Sequence, residues 1–119
     1  MAIIELDQVP KTVFSGGATY QTLVGDDAGS TPIRVGVQIS PPGYSTGTHS
    51  HPYMEVVSVI EGTGEAWMDG HDGMIAIGPG STLVMVPGVK HGFRVTGDVP
   101  MKTYGVHASA HRIVDREDS

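Results

Sequence analysis

Short apolar runs separated by Gly and Pro constrain the fold of this chain more than any other feature of its sequence. The 119 residues include 17 Gly and 8 Pro, and no long amphipathic helical pattern lies between them. Residues 33–39 alternate, with Val35, Val37 and Ile39 on one face, which is typical of a β-strand. Strands and turns recur at roughly the eight-to-twelve-residue spacing of an all-β sandwich or barrel.

The runs predict a series of strands within one domain. They cover residues 18–24, 33–39, 54–60, 65–69, 74–77, 82–86, 91–95 and 101–107, and Gly70 to Gly73 indicate a hairpin turn. The predicted domain comprises residues 1–119, with N-terminal strands and a loop in 1–32 and a tail in 108–119. We expect the polar end of that tail, from Asp115 onward, to be frayed.

Composition excludes several classes of protein. The formal charge of −6 argues against a nucleic acid or an anionic membrane as partner, because both require a basic face. No apolar run approaches the ~20 residues of a membrane span, and no basic region precedes an apolar stretch at the N-terminus. The absence of Cys excludes disulfides, zinc–thiolate sites and thiol nucleophiles. It also fits a reducing compartment, and we expect a cytoplasmic protein.

One group of polar residues suggests a metal site. In the segment His49-Ser-His51-Pro-Tyr-Met-Glu55, the two histidines are two residues apart and Glu55 keeps their parity. On an extended strand, such side chains leave the same face. Two imidazoles and a carboxylate make half or more of a first-row transition-metal site, and His91 is the candidate that completes it.

The same residues resemble the first motif of the cupin superfamily, G-x5-H-x-H-x3-E-x6-G. The motif runs without a gap through Gly43, His49, His51, Glu55 and Gly62. So many fixed positions within residues 43–62 rarely match by chance. The chain is thereby identified as a small, single-domain cupin of the metal-binding, cupin 2-like kind.

The second cupin motif, G-x5-P-x-G-x2-H-x3-N, matches in part over residues 80–95. Gly80, Gly88 and His91 fall in place, while Val86 stands at the Pro position and Val95 at the Asn position. These departures concern a turn and a strand residue, so the candidate ligand His91 is unaffected. The resemblance covers roughly residues 33–107.

The resemblance implies a jelly-roll barrel, a double-stranded β-helix, with the site inside its mouth. It also implies that His49, His51, Glu55 and His91 bind one divalent transition metal per chain. Ligand types alone leave Fe, Mn, Ni, Co, Cu and Zn open. Glu55 has a second candidate role, because the matching Glu serves as a base in some cupin enzymes.

Alternation around these ligands suggests two substrate contacts. Tyr53 shares the parity of Glu55, so we expect it near the mouth of the barrel. Phe93 shares the parity of His91, so we predict that it forms an apolar wall of the cavity.

Three further candidates depend on which strand faces look inward. Arg34 and Gln38 share one face of strand 33–39 and would anchor a substrate if that face lines the cavity. Arg34 would then favour a carboxylate. On the last strand, Tyr104 and His107 have opposite parities, so at most one faces inward without a bulge, and His107 is the candidate acid–base or supporting group.

The sequence leaves three functions open, and all three have the same fold and the same metal site. The first, which we favour slightly, is an oxygen-dependent dioxygenase acting on a small enol, diketone or aromatic compound. The second is a redox-neutral isomerase, lyase or cyclase acting on a sugar acid or a polyketide-like carbonyl compound. The third is a non-catalytic protein that binds a metal or a small ligand.

Assembly is predicted from the family resemblance and from the sheet edges. Cupins of this size usually form homodimers, and proteins commonly cover exposed sheet edges. We expect the apolar stretch 3–6 and the strand 18–24 to pack on a partner.

Overall fold

The structure, a computed structural model, describes residues 2–117 and consists almost entirely of β-strands. Within that range a single-turn 3-10 helix, Leu6–Gln8, precedes the strands. The strands are β1 Thr12–Val13, β2 Thr19–Val24, β3 Arg34–Ser40, β4 His49–Ser50, β5 Glu55–Glu61, β6 Gly64–Met68, β7 Ile75–Ile77, β8 Thr82–Met85, β9 His91–Val95, β10 Met101–His107 and β11 Asp115–Arg116.

Two antiparallel sheets form the jelly roll. The larger sheet has the order β1-β2-β3-β10-β5-β8, and the smaller has the order β11-β4-β9-β6-β7. The buried apolar core takes Val59, Leu83 and Met101 from the larger sheet and Ala66 and Val95 from the smaller one. The core therefore lies between the two sheets, as the predicted barrel requires.

The predicted strands are confirmed to within one or two residues at each end. The structure adds three two-residue strands, β1, β4 and β11, which are too short to show alternation in the sequence. The prediction of a frayed end is wrong for Asp115 and Arg116. These residues pair with Ser50 and His49 of β4, so the tail returns to the mouth of the barrel.

The inward face of β3 was left open by the sequence, and the structure decides it. Gly36 and Gln38 look into the barrel, where they line its cavity. Val37 lies on the opposite face and is paired in register with Gln21 of β2. Nε2 of Gln21 donates to the carbonyls of Leu6 and Val9 at 2.8 and 2.9 Å, so the N-terminal segment covers this outer face.

Among residues 2–117, the structure contains no helix of the length and apolar character needed to cross a membrane.

Candidate metal centre

Three short stretches of chain bring four potential metal ligands together at the mouth of the barrel. His49 begins β4 and pairs in register with His91, the first residue of β9. His51 lies in the connection that follows, and Glu55 begins β5. One ligand atom from each of the four residues lies within 4.8 Å of the others. The structure therefore brings together all four residues that the sequence predicted as ligands.

The spacing of these atoms suits a first-row transition metal. Nε2 of His51 and Nε2 of His91 lie 3.1 and 3.2 Å from Oε1 of Glu55. Ligand atoms bound at about 2.1 Å and at right angles to each other are about 3 Å apart, and opposite ligands are about 4.2 Å apart. The four side chains could thus occupy vertices of an octahedron around one ion.

A backbone carbonyl orients each of the three imidazole rings. The Nδ1–oxygen pairs are His49 with Gly47 at 3.1 Å, His91 with Val89 at 3.0 Å and His51 with Ile113 at 2.5 Å. Because a carbonyl oxygen can only accept a hydrogen bond, each Nδ1 carries the hydrogen. In a neutral ring, Nε2 is then left with a lone pair.

This donor set suits a cation. The Nε2 lone pairs of His51 and His91 face a carboxylate oxygen of Glu55 at 3.1 and 3.2 Å, and acceptors at that distance repel each other. A proton placed between the two atoms would remove the repulsion in one such pair, whereas one metal ion would remove it in both. The residues present therefore fit the transition metal that the sequence suggested.

Burial and hydrogen bonding set the charges of the cluster. Burial lowers the pKa of His49 to about 4, so its imidazole is neutral at pH 7. Burial alone would raise the pKa of Glu55, but the hydrogen bond from His107 opposes it, and that pKa is held below its usual range. A neutral imidazole and an ionised carboxylate are the forms that bind a metal.

A hydrogen-bonded chain leads away from the second oxygen of Glu55. Nε2 of His107 lies 3.1 Å from Oε2 of Glu55, and Nδ1 of His107 lies 2.6 Å from the Tyr53 hydroxyl. The carboxylate can only accept, so Nε2 carries the hydrogen and Nδ1 accepts from the phenol. The backbone N–H of Ile113 donates to the same hydroxyl at 3.2 Å. Oε2 of Glu55 is thus held by a hydrogen bond, while Oε1 faces the other ligand atoms of the cluster.

A small cavity of about 60 Å³ lies beside the cluster and opens to solvent at the mouth of the barrel. Gly36 and Gly105 form part of its wall and are paired in register on β3 and β10. The missing side chain of Gly36 makes room for the Tyr20 ring, and that of Gly105 leaves space beside Val57. Val57 and Phe93 supply apolar surface, as is usual for small-molecule sites.

Comparison with known proteins identifies the family. The Cupin domain model matches residues 36–107, more than half of the chain. The chain belongs to the cupin family. This cupin is also 36% identical over 98 residues to Protein SchB of Streptomyces halstedii, covering 82% of this chain and 70% of that protein.

Solved structures share the fold of this cupin. The polyketide cyclase RemF from Streptomyces resistomycificus matches with a TM-score of 0.84 and 18% identity, covering 100% of this chain and 87% of that chain. A predicted oxalate decarboxylase from Thermotoga maritima matches with a TM-score of 0.80 and 20% identity, covering 89% and 97%. At these identities the likeness concerns the fold.

The predicted substrate contacts fall into two groups in this cupin. Gln38, Phe93 and His107 line the cavity. Among the residues that the structure describes, Tyr53 and Arg34 do not form part of the cavity wall. Tyr53 is buried behind His107, and Nη1 of Arg34 donates to the carbonyl of Ala110 at 3.0 Å. Each of these two side chains therefore supports a neighbouring part of the site from behind.

The structure adds cavity residues that were not predicted. Tyr20 of β2 lines the cavity because it pairs with Gln38, on the inward face of β3. Alternation in strand 18–24 would have indicated Tyr20, had the inward face of β3 been known. Arg112 and Arg116 line the mouth from the C-terminal segment, where no periodic pattern marks them.

Proposed function

We propose that this cupin is a metal-dependent enzyme that converts a carbonyl-containing organic substrate by proton transfer, without net redox change. The observation that carries the proposal is the arrangement of the two carboxylate oxygens of Glu55. Oε1 faces the Nε2 atoms of His51 and His91, and Oε2 is hydrogen bonded to His107. One carboxylate beside the cavity would therefore both bind the metal and transfer a proton.

His49, His51, Glu55 and His91 would hold the metal. When bound, the metal would supply Lewis acidity toward a substrate carbonyl oxygen. The four protein ligands leave room in a six-coordinate site for substrate atoms. Phe93 and Val57 exclude water from one side of the substrate, and Gln38 offers amide groups that can orient it.

Glu55 is the group proposed to move the proton. A proton from a substrate carbon next to a carbonyl would pass to Oε2, where the hydrogen bond from His107 helps to hold the carboxylate in place. Tyr53 fixes the His107 ring at 2.6 Å. Release of the same proton to another substrate atom would complete an isomerisation, elimination or ring closure.

The family comparisons support this class of reaction. RemF, which has the same fold, is described as a polyketide cyclase, and the Thermotoga maritima protein as a predicted oxalate decarboxylase. A polyketide-like substrate has carbonyl groups of the kind proposed here. Cyclisation of such a compound is the leading candidate reaction.

Oxygen-dependent dioxygenation is the second candidate. It is favoured by a cluster of three histidines and one carboxylate, because such a site can accept two further ligands. Turnover that consumes O₂ would support this candidate, and equal turnover under anaerobic conditions would support the redox-neutral proposal.

The first test is metal content. We expect about one transition metal per chain, with ring nitrogens roughly 2.0–2.2 Å from it. The variant carrying both His49→Ala and His51→Ala should lose the metal, whereas the variant carrying His71→Ala and His111→Ala, at two exposed positions, should keep it. Full metal content in the first variant would disprove the site.

The second test is turnover of small 1,3-dicarbonyl and polyketide-like compounds by the metal-loaded protein. Anaerobic conversion that disappears with the metal would support the proposed class. Binding without turnover of any of these compounds would instead indicate a non-catalytic binding protein.

A further inference from the structure

Basic side chains are concentrated around one cavity of an otherwise acidic protein. The chain has seven Lys and Arg and a formal charge of −6. Arg112 and Arg116 line the mouth of the cavity, and Arg34 lies behind its wall. Among the described residues that line the cavity, Glu55 is the only carboxylate, and it is engaged by histidines. Apart from Glu55, the charged side chains that line the cavity are thus cationic, which favours an anionic ligand there.

A buried phenol in the cavity wall has an unused hydroxyl. Tyr20 is 8% exposed, and its ring end lies so close to Gly36 that a Cβ there would overlap Cζ and Oη. Within residues 2–117, neither Oη of Tyr20 nor Nε of Arg34 has a hydrogen-bond partner. Arg34 is near enough to donate to the hydroxyl oxygen, but a guanidinium cannot accept, so the buried O–H hydrogen still lacks an acceptor.

The phenol is suited to donate a hydrogen bond. Burial raises the pKa of Tyr20, and this effect outweighs the charges of Arg34 and Arg112 and hydrogen bonding from Arg34, all of which lower it. The hydroxyl thus stays protonated at neutral pH. Since guanidinium groups donate and never accept, the complementary ligand atom is an oxygen acceptor, preferably a charged one.

Arg112 and Arg116, at the mouth of the cavity, are each positioned by a contact within the protein. Each still has guanidinium N–H groups free to donate to a ligand. The guanidinium of Arg112 lies over the ring of Phe14, 4.9 Å from its centre, and Phe14 stacks on Tyr20. Nη1 of Arg116 donates to the carbonyl of Thr46 at 2.9 Å. Each guanidinium has five N–H donors, so both can also bind a ligand.

We propose that Tyr20, Arg112 and Arg116 form a subsite for an anionic oxygen of the substrate, either a carboxylate or an ionised enol or phenol. The inference rests on the proposed function in that the bound oxygen would orient a carbonyl compound toward the metal centre. Arg34 is a positioning residue, which supports Tyr20 from behind. The substrate class is accordingly a carbonyl compound that carries a negative charge.

Three probes with the same ring test this subsite in the full-length protein. They are 4-nitrobenzoate, 4-nitrophenolate at a pH at which it is ionised, and the neutral 4-nitroanisole. Calorimetric titration should show that at least one anion binds about tenfold or more tightly than the neutral ether. The stronger of the two anions identifies the oxygen chemistry. Equal binding of all three probes would overturn the proposal.

Substitutions in the cavity wall test where in the protein the anionic probe binds. Tyr20→Phe and Arg112→Gln should each weaken the preferred anion about tenfold while leaving binding of 4-nitroanisole unchanged. The matched controls are Tyr104→Phe and Arg94→Gln, on outward-facing positions, and they should have no effect. Anion binding that survives both cavity substitutions would place it elsewhere and overturn the proposal.

Two further measurements separate this role from a structural one. Tyr20→Phe removes a hydroxyl without a partner, so its melting temperature should be unchanged or higher even as anion affinity falls. Arg112→Lys retains the positive charge and should recover part of the affinity that Arg112→Gln loses. A parallel loss of stability and affinity in Tyr20→Phe, or no recovery in Arg112→Lys, would contradict an anion subsite.

The outcomes also separate this inference from the proposed function. If the protein holds its metal and turns over neutral carbonyl compounds but shows no preference for anions, only the subsite is wrong. If it prefers anions through Tyr20 and Arg112 but holds no metal, only the proposed enzyme function is wrong.

Discussion

In the proposed function, Glu55 has two roles, as a metal ligand and as the group that moves the proton. Oε1 lies among the ligand atoms, while Oε2 accepts from His107 at 3.1 Å. The hydrogen bond that keeps the carboxylate ionised comes from His107, whose ring is held by the Tyr53 hydroxyl. A change at this residue should therefore affect metal binding and proton transfer to different extents.

Glu55→Gln should reduce activity by about tenfold or more while weakening metal binding only in part. Three imidazoles remain, and three histidines are enough to hold a metal in known sites. Metal content and turnover should be measured together, with Glu65→Gln, at the partly exposed partner of Arg94, as the control. Equal losses of metal and activity would mean that Glu55 serves only as a ligand.

Tyr53→Phe should lower the free energy of unfolding by about 1–3 kcal/mol, because the buried His107 nitrogen loses its partner. The N–H of Ile113 loses its acceptor in the same change. Urea denaturation against the control Tyr104→Phe, at a more exposed position, provides the measurement. An unchanged midpoint would show that the hydroxyl contributes nothing to the site's rigidity.

At the scale of elements, β3 and β10 place two glycines side by side in the cavity wall. Gly36 and Gly105 are register partners, but their surroundings differ. A Cβ on Gly36 would overlap the phenol of Tyr20, whereas a Cβ on Gly105 would make only an ordinary contact of 3.8 Å with Val57. The same substitution should consequently have different effects on the two strands.

Gly36→Ala should cost about 1–3 kcal/mol of stability, since the buried Tyr20 ring must move. Gly105→Ala should change stability by less than about 1 kcal/mol and can even stabilise, because it restricts the unfolded chain. Thermal or urea unfolding of the pair gives a direct comparison. Similar costs at both positions would contradict the observed packing of Tyr20.

The C-terminal segment, residues 108–117, acts as a structural part of the metal site. Its strand β11 pairs with β4, and the carbonyl of Ile113 orients His51. Deleting residues 112–119 should weaken metal affinity about 10- to 100-fold, the usual effect of losing a partner of a metal ligand. Competition with a chelator measures this, and deletion of residues 118–119 alone is the control. Unchanged affinity in the longer deletion would exclude a supporting role.

At the scale of the whole molecule, the outer face of the larger sheet bears a row of valines. Val84, Val56, Val106 and Val35 are successive register partners across β8, β5, β10 and β3. Val84 is 50% exposed and Val106 is 38% exposed. Contiguous apolar surface of this kind marks interaction sites. We propose that this face forms the homodimer interface.

The expected molar mass by light scattering at micromolar concentration is twice the 12.5 kDa of the chain. Val84→Lys combined with Val106→Lys should produce a monomer, because it places two charges on the proposed interface. Met74→Lys, at an exposed position next to the smaller sheet, should leave the dimer intact. The N-terminal contact predicted from the sequence can be tested in the same way with Ile3→Lys. A monomeric wild-type chain would refute both contacts.

The strands and the ligand set were determined by the sequence itself, because both depend on local spacing. Alternation in residues 33–39, 54–60 and 91–95 marked strands that the structure contains. The spacing of His49, His51 and Glu55 predicted their common face, and the family motifs supported these ligands together with His91.

Only the tertiary structure decided the surroundings of those ligands. The carbonyl that orients His51 is 62 residues away in sequence, and the hydroxyl that holds His107 is 54 residues away. Arg112 reaches the cavity mouth on a segment without periodicity, and Tyr20 became a wall residue only once β2 and β3 were in register. Periodicity acts over a few residues, whereas these contacts depend on how the two sheets close.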